Sequence, residues 1–289
     1  MTNFLTFCVY RLVVGQIMDI LLFKGKATQQ SMKHEHKLPR MITPNVLWTG
    51  SCMELKLRGD TVHSHFGNYA IRGSKKNLLV DTGHPMHEEI IESVLDDFLQ
   101  GETIHYIFPT HAEFPHCGLL SKWMRKFPEA VVVGDVRDYP LYYPQEADRF
   151  HVTKIGDSVD LGDRKFVFVP AIWADLKDTF WGFDTGDRIL FVADGFAFAH
   201  HHWPGECGLT TRDLPLPNKK TLQIISELTL QWTRFTDSSQ TFVALDELIR
   251  ILEPRFIAPA HGSVIDNVEV LLPLIKQGMT VMQELAPQS

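Results

Sequence analysis

The segment THAEFPHCG, residues 110–118, constrains the fold of this chain more than any other. It places His111, Glu113 and His116 within six residues, directly after the apolar run IHYIFPT, which predicts a short buried strand. A loop that leaves such a strand can turn all three side chains towards one point. Imidazoles and a carboxylate together suit a first-row divalent metal, and the carboxylate favours harder ions such as iron or manganese. The segment therefore predicts a metal site at the end of a strand.

Two later segments end apolar strands in the same manner. FVADGF places Asp194 where a buried carboxylate is costly unless a cation neutralises it. FIAPAHG ends with His261 before a glycine, at a point where a loop projects a side chain from a rigid scaffold. Each segment alone also fits an ordinary turn or helix cap. Their order and spacing favour one shared metal centre.

The hydrophobic pattern predicts two β-rich halves, each accompanied by helices. VLWTGSCMELKL, HFGNYAIRG and KNLLVDTG are short β-rich runs separated by turn residues, and residues 157–194 hold further strands. Helical spacing follows in HPMHEEIIESVLDDFLQ, in LLSKWMRKF, twice within residues 218–252, and in VEVLLPLIKQGMTVMQEL. With 289 residues, 44% of them apolar, the chain can form one α/β sandwich of two sheets covered by helices.

The net charge and the cysteine pattern indicate which kind of partner the protein binds and in which cellular compartment it works. The net charge is −7 and the 28 Lys and Arg residues are scattered, so we expect no nucleic-acid partner and a small-molecule ligand or substrate instead. No CxxC pair is present, which predicts free thiols and a cytoplasmic protein. Cys117 directly follows His116 and is either a metal ligand or a small buried hydrophobe. The four cysteines are Cys8, Cys52, Cys117 and Cys207.

Residues 1–40 are expected to be an N-terminal extension, and residues 41–289 the folded domain. The apolar start is interrupted by Arg11 and Asp19 before any run reaches the roughly 20 residues that a membrane span needs, so no integral span is predicted. Neither a basic start nor a small-residue cleavage site marks a signal peptide. Met32 and Met41 offer later start codons. The extension is therefore either an artefact of the assigned start or a membrane-associating amphipathic segment.

LLVDTG, THAEFPH, FVADGF and APAHG occur in an order that resembles the metallo-β-lactamase superfamily, over roughly residues 45–275. The H-x-E form of the first motif is similar to that of flavo-diiron proteins and related oxygen-binding diiron proteins. The resemblance implies an αββα sandwich of two mixed sheets and a site for one or two iron ions, with zinc or manganese as alternatives. It further implies that one metal binds His111 and Glu113, that the other binds His116 and His261, and that Asp194 bridges them.

The chain departs from that family pattern at two positions. Pro115 stands where the motif HxExDH has its Asp, which removes a ligand of the second metal. DLKDTF resembles the HxxDxxF stretch and puts Asp175 at the His position and Asp178 at the Asp position. Asp175 lies 19 residues before Asp194, close to the family's own separation, so it is the expected third ligand of the first metal. Asp178 and His200, which follows Asp194 closely, are the alternatives.

Other residues are expected to support the site without binding the metal. Asp81 of LLVDTG resembles the superfamily's first-strand Asp, which orients a ligand. His84 beside the same turn and Asp178 are the further candidates. No catalytic group is expected beyond a metal-bound water, His200 being the one side chain placed to act with it.

Three functions fit these residues. The first is an iron centre that binds or reduces dioxygen or a similar small molecule. The second is metal-dependent hydrolysis of an ester, lactone or phosphoester, and the third is a degenerate, non-catalytic binding module. No glycine-rich nucleotide fingerprint is present, so no flavin is predicted in this chain, and turnover would need a separate electron-donor protein. A homodimer is compatible with the sequence.

Overall fold

The computed structural model describes residues 37–57, 59–203, 205–218, 221–222 and 228–284, which form two β-sheets between layers of helices. The first sheet has seven strands in chain order. Its first four strands pair antiparallel and the remaining ones parallel. The strands are β1 (Arg40–Thr43), β2 (Val46–Leu57), β3 (Asp60–Arg72), β4 (Asn77–Val80), β5 (Tyr106–Phe108), β6 (Val131–Gly134) and β7 (Phe150–Val152).

Parallel pairs need crossover connections, which the helices provide. Helix α1 (Glu88–Leu99) connects β4 to β5, and α2 (Phe114–Cys117) with α3 (Leu120–Lys126) connects β5 to β6. The second sheet has the order β12-β11-β10-β9-β8, with one parallel pair, β11 and β12. Its strands are β8 (Ser158–Asp160), β9 (Lys165–Pro170), β10 (Phe180–Asp184), β11 (Ile189–Phe191) and β12 (Phe256–Ala258).

Helices α4 (Ser239–Leu252) and α5 (Val268–Glu284) cover the second sheet. Short 3₁₀ helices lie in the connections, at Pro85–His87, Tyr139–Leu141, Pro144–Arg149 and Gln231–Phe235. Among the described residues, no helix combines the length and the apolar character that crossing a membrane requires.

Side chains alternate between the two faces of each sheet, so the large apolar clusters lie in three places: between the sheets and between each sheet and its helices. In β4, Leu78 and Val80 face the second sheet, whereas Leu79 packs against the helices. Between the sheets, Phe108 contacts Phe166 and Phe168 edge-on, with ring centroids 5.4 and 5.2 Å apart. Burying one such side chain contributes about 1.5–3 kcal/mol. The result is four layers, helix–sheet–sheet–helix.

The structure confirms the αββα fold expected from the sequence. VLWTGSCMELKL is strand β2, and the second helix expected in residues 218–252 is α4. The first of those two helices lies largely outside the described residues, as do residues 1–36. Strand β1 begins at Arg40, so the expected domain boundary at residue 41 falls inside a strand and stays a prediction.

Candidate metal centre

Strand ends from both sheets deliver the candidate ligands. His111, Asp194 and His261 each lie three residues beyond their strands, which are β5, β11 and β12. Asp81 directly follows β4. Because β4 pairs parallel with β5, and β11 with β12, the carboxyl ends of each pair meet at one edge. The packed sheets bring both edges together.

Four of the predicted ligands form one compact group. The ligand atoms of His111, Glu113, His116 and Asp194 all lie within 4.8 Å of one another. The Nε2 atom of His116 lies 3.2 Å from the Asp194 carboxylate, and the Nε2 atom of His261 lies 3.5 Å from the same oxygen. The carboxylate of Asp194 therefore stands between two imidazoles.

The two candidate aspartates of DLKDTF take different positions. Asp175 lies with its carboxylate 3.2 Å from Nε2 of His111, its side chain only 4% exposed, and it accepts a 2.8 Å hydrogen bond from the Thr179 hydroxyl. Asp178 instead accepts a 2.9 Å hydrogen bond from the backbone N–H of Ala112, inside the metal-site loop. The structure thus brings Asp175 to the group and places Asp178 behind the loop.

Hydrogen bonds at the far ring nitrogens orient two of the imidazoles. Asp81 accepts from Nδ1 of His116 at 2.9 Å and is held in turn by the backbone N–H and hydroxyl of Thr110, at 2.8 and 2.9 Å. Nδ1 of His261 donates to the carbonyl of His65 at 2.7 Å. Each bond leaves the Nε2 lone pair pointing into the group, which is how ligating histidines are fixed in metal sites.

The group holds buried polar atoms that fit a cation. Nε2 of His111, Nε2 of His116 and Oδ1 of Asp194 are buried, and none has a partner in hydrogen-bond geometry. Leaving such an atom unsatisfied costs about 1–3 kcal/mol. A cation between them would satisfy all three at once, so the residues present fit a metal ion.

The carboxylates and imidazoles of the group shift one another's pKa values, and a metal ion that binds there takes the place of the proton on His116. Burial opposes charge on His116, but Asp81 and Asp194 outweigh it and raise its pKa well above the usual value. Burial likewise opposes charge on Asp194, yet His261 and His116 hold its pKa well below the usual value. Burial raises the pKa of Asp175, and the neighbouring His111 imidazole, 3.8 Å away, lowers the pKa of Glu113. Asp194 is consequently a carboxylate at neutral pH.

Local backbone geometry explains how the loops reach the group. Asp81 and Ala193, at the ends of β4 and β11, have φ of 55° and 47°, in the left-handed region that costs a non-glycine residue of order 1–3 kcal/mol. Pro115 lies in the first turn of α2, where proline costs little because that turn's N–H groups have no helical partner. The short helix thereby accommodates the departure from the family motif.

A cavity of about 510 Å³ opens onto the group. Four candidate ligands line it, together with Pro115 and an apolar wall from the β2–β3 ribbon and from the connections that hold residues 176 and 228–232. The ligands are Glu113, Asp175, Asp194 and His261, and the wall includes Met53, Leu55, Phe66, Leu176, Leu228 and Trp232. A small molecule can therefore reach the group through a largely apolar passage.

Two other predicted residues, His200 and His84, lie outside the compact group. His200 is grouped with Cys52 and His65 rather than with the four compact ligands. His84 accepts a hydrogen bond from Met86 N–H and stacks on Phe66 at 4.8 Å. Phe66 in turn packs against the His261 ring at 5.5 Å, so His84 supports the site only through another ring.

Cys117 is half-buried and packs against the core under α1 and α3. The roles of Thr110 and of the His65 carbonyl were not predicted from the sequence. Thr110 stands next to His111 in the motif, which is the only signal that could have suggested it.

Comparison with known proteins gives a consistent result. Residues 68–261 match the family model described as the metallo-beta-lactamase superfamily. The chain is 28% identical over 244 residues to coenzyme F₄₂₀H₂ oxidase of Methanothermobacter thermautotrophicus, covering 77% of this chain and 57% of that protein. It is 29% identical over 177 residues to anaerobic nitric oxide reductase flavorubredoxin of Klebsiella pneumoniae, covering 56% and 35%. The chain thus spans from about a third to just over half of these relatives' lengths.

Solved structures show the same fold. Rubredoxin:oxygen oxidoreductase from Desulfovibrio gigas superimposes with a TM-score of 0.66 at 16% identity, covering 87% of this chain and 62% of that one. A fragment titled as a diflavin flavoprotein from Nostoc gives a TM-score of 0.68 at 15% identity, covering 87% and 98%. At this identity the likeness is one of architecture.

Proposed function

The chain belongs to the metallo-β-lactamase superfamily, with flavodiiron proteins among its relatives, and on that basis we propose that it is an iron protein that binds or reduces a small molecule such as dioxygen or nitric oxide. One observation carries the proposal. Three carboxylates and three imidazoles converge on one group, in which Nε2 of His111, Nε2 of His116 and Oδ1 of Asp194 are buried without hydrogen-bond partners. Such a carboxylate-rich set suits iron better than zinc.

The residues divide between two metal positions. His111, Glu113 and Asp175 would hold the first ion, His116 and His261 the second, and Asp194 would bridge them. Because Pro115 supplies no ligand, the second ion would have fewer protein ligands than the first and would be the one more open to a small molecule. Iron supplies the change of oxidation state and the open position. Manganese, or a single ion, is compatible with the same residues.

The chain's own residues prepare the site for that chemistry. Asp81 and the His65 carbonyl keep two imidazoles aimed inwards, so little reorganisation accompanies metal binding. The apolar wall limits water around the group. Reduction would need electrons from outside these residues, and we expect a separate electron-donor protein, consistent with the flavin-containing names of the relatives. A cytoplasmic location and a homodimer remain expectations.

Hydrolysis is the second candidate, and the cavity is the observation that favours it. A volume of about 510 Å³ exceeds what a diatomic molecule needs and lies within the range that organic ligands occupy. In that case a metal-bound water would attack an ester, lactone or phosphoester.

Metal analysis separates the two functions. Protein purified without added metal should contain iron, or iron with manganese, that is absent from the Asp194→Ala variant; this comparison assigns the metal to the centre. Anaerobically reduced protein should change its near-ultraviolet and visible spectrum when air or nitric oxide is admitted. Zinc at the centre, together with no spectral change and metal-dependent ester hydrolysis, would overturn the proposal.

A further inference from the structure

The β2–β3 ribbon carries a second set of ligating side chains, on its other face. Cys52 and His65 are direct partners across the ribbon, and His63 lies two residues from His65. Because side chains alternate along a strand, these three share one face. Ser64 and Phe66 point to the opposite face, where they line the cavity of the candidate metal centre.

Residues 200–203 and 205–208 pack on this second face, and we call them the loop. His63 and His200 exchange backbone hydrogen bonds of 2.8 and 2.9 Å, which form an isolated antiparallel bridge. Nε2 of His65 donates to the carbonyl of Cys207 at 2.7 Å. The loop thereby brings His202 and Cys207 over Cys52. We call these six residues the ribbon–loop cluster: Cys52, His63, His65, His200, His202 and Cys207.

Three members of the ribbon–loop cluster have the separations of a four-coordinate metal site. The ligand atoms of Cys52, His202 and Cys207 all lie within 4.8 Å of one another. The Cys52 sulfur lies 3.1 Å from Nε2 of His202 and 3.3 Å from Nδ1 of His63. In a tetrahedral zinc site, with Zn–S of about 2.3 Å and Zn–N of about 2.0 Å, neighbouring ligand atoms are about 3.5 Å apart. The observed contacts are of that size.

Unpartnered buried nitrogens are the second, independent observation. His200 is only 3% exposed, and neither of its ring nitrogens has a hydrogen-bond partner. Nδ1 of the buried His65 also lacks one. Both rings lie with Cys52 in a further group of three possible ligands. Buried polar atoms are rarely left in this state, which points to a missing partner inside the cluster.

We propose that Cys52, Cys207 and His202 bind a zinc ion, with the imidazole of His200 completing a four-coordinate shell. Thiolate and imidazole ligands select a borderline-soft ion such as Zn²⁺, in contrast to the carboxylates of the candidate metal centre. The ion would join the ribbon to the loop that follows Asp194, and its role would be structural because a closed shell leaves no open position. A Cys52–Cys207 disulfide is the competing use of the thiols, but it would leave the imidazole nitrogens without a partner.

Zinc content of cysteine variants of the full chain tests the site. The parent should hold one zinc ion per chain that survives in Asp194→Ala, and the double variant Cys52→Ser, Cys207→Ser should lose it. Cys117→Ser, which changes a free cysteine outside the cluster, is the matched control and should keep it. Near-ultraviolet circular dichroism checks that each variant is folded. Equal zinc in the parent and the double variant would overturn the proposal.

A second measurement tests the zinc site even if the double variant does not fold. Cobalt(II) added to metal-free parent should give thiolate-to-cobalt charge-transfer absorption, and the single change His202→Gln, at a half-buried position, should weaken binding at least tenfold. Thiols that become reactive only after chemical reduction would show a disulfide instead and sink the idea. These readouts do not depend on iron at the other site, so failure of the proposed function and failure of the zinc site are distinguishable.

Discussion

The two faces of the β2–β3 ribbon carry two sets of ligands with opposite chemical character. One face borders the candidate metal centre, where three carboxylates join three imidazoles and no thiol takes part. The other face holds the ribbon–loop cluster, where two thiols join up to four imidazoles and, in the part of the chain that the structure describes, no carboxylate is grouped with them. Because ligand type sorts metals more reliably than affinity does, one chain can hold a hard and a softer ion apart.

The two sets of ligands also differ in how far hydrogen bonds orient them before a metal binds. At the centre, His116 and His261 each have a hydrogen bond that fixes the ring before any metal arrives. In the ribbon–loop cluster, His202 has such a bond, from Nδ1 to the carbonyl of Trp203 at 2.8 Å, but the thiols are only half-buried and His200 has no bond of that kind. We infer that the centre is preorganised by the fold, whereas the ribbon–loop cluster gains order from its ion.

The largest effect is expected from Asp194→Ala. The substitution removes the carboxylate that stands between His116 and His261, so iron content should fall to background. Zinc content should stay at the parent level. Plasma mass spectrometry of both metals in one sample gives the result, and joint loss of the two metals would break the separation between the two sites.

A smaller but still large effect is expected at Asp175. Asp175→Ala should sharply lower iron content, because it removes an anionic oxygen beside His111. Asp178→Ala should cost the hydrogen bond to Ala112, about 1.5–3 kcal/mol of stability, with less loss of iron. Asp175→His should be tolerated better than Asp175→Ala because imidazole restores the related family pattern. Unchanged iron in Asp175→Ala would show that another group is the third ligand.

A moderate effect is expected from Asp81→Asn. The amide keeps the size of the side chain but loses the charge that faces His116, and changes of this type typically cost about 10–100-fold in metal affinity. Competition with a chelator measures the affinity. Asp246→Asn, at the ion pair between α4 and Lys276 of α5, is the matched control and should leave the affinity unchanged.

The smallest effect is a pH dependence that belongs to the ribbon–loop cluster. Burial lowers the pKa of His65 from 6.5 to about 3, so the unfolded chain takes up the proton more readily than the folded one. This stabilising contribution is fully present above pH 6.5 and is lost as the pH falls towards 3.

Thermal unfolding of metal-free protein across that range should show the loss, and His65→Gln should reduce it. The exposed His151→Gln serves as control. Parallel curves for His65→Gln and the parent would contradict this account.

The sequence predicts the fold and the centre better than the ribbon–loop cluster, and the reason is the distance along the chain. His111, Glu113 and His116 share one loop, and Asp194 and His261 follow recognisable buried strands, so local patterns suffice to propose them. The cluster instead depends on the bridge between His63 and His200, which no local pattern encodes.

Two details of the candidate metal centre cannot be predicted from the sequence, because they depend on contacts between distant parts of the chain. A backbone carbonyl such as that of His65 has no residue-type signature, so its contact with His261 could not be predicted. His200 was proposed as a replacement ligand because it follows Asp194 closely, but the chain turns within these few residues and the ring stacks on His65 at 4.8 Å. Proximity in sequence did not determine which face of the ribbon the side chain reached.

His65 contacts both sites at once, which has a thermodynamic consequence. Its carbonyl accepts from His261 and its ring donates to Cys207. If zinc binding fixes this residue, it also lowers the entropy that must be lost when His261 engages its own ion. Coupling of this kind is reciprocal, so the factor by which zinc tightens iron equals the factor by which iron tightens zinc. Equilibrium titrations of each ion, in the presence and absence of the other, would therefore yield a single interaction free energy from two independent measurements.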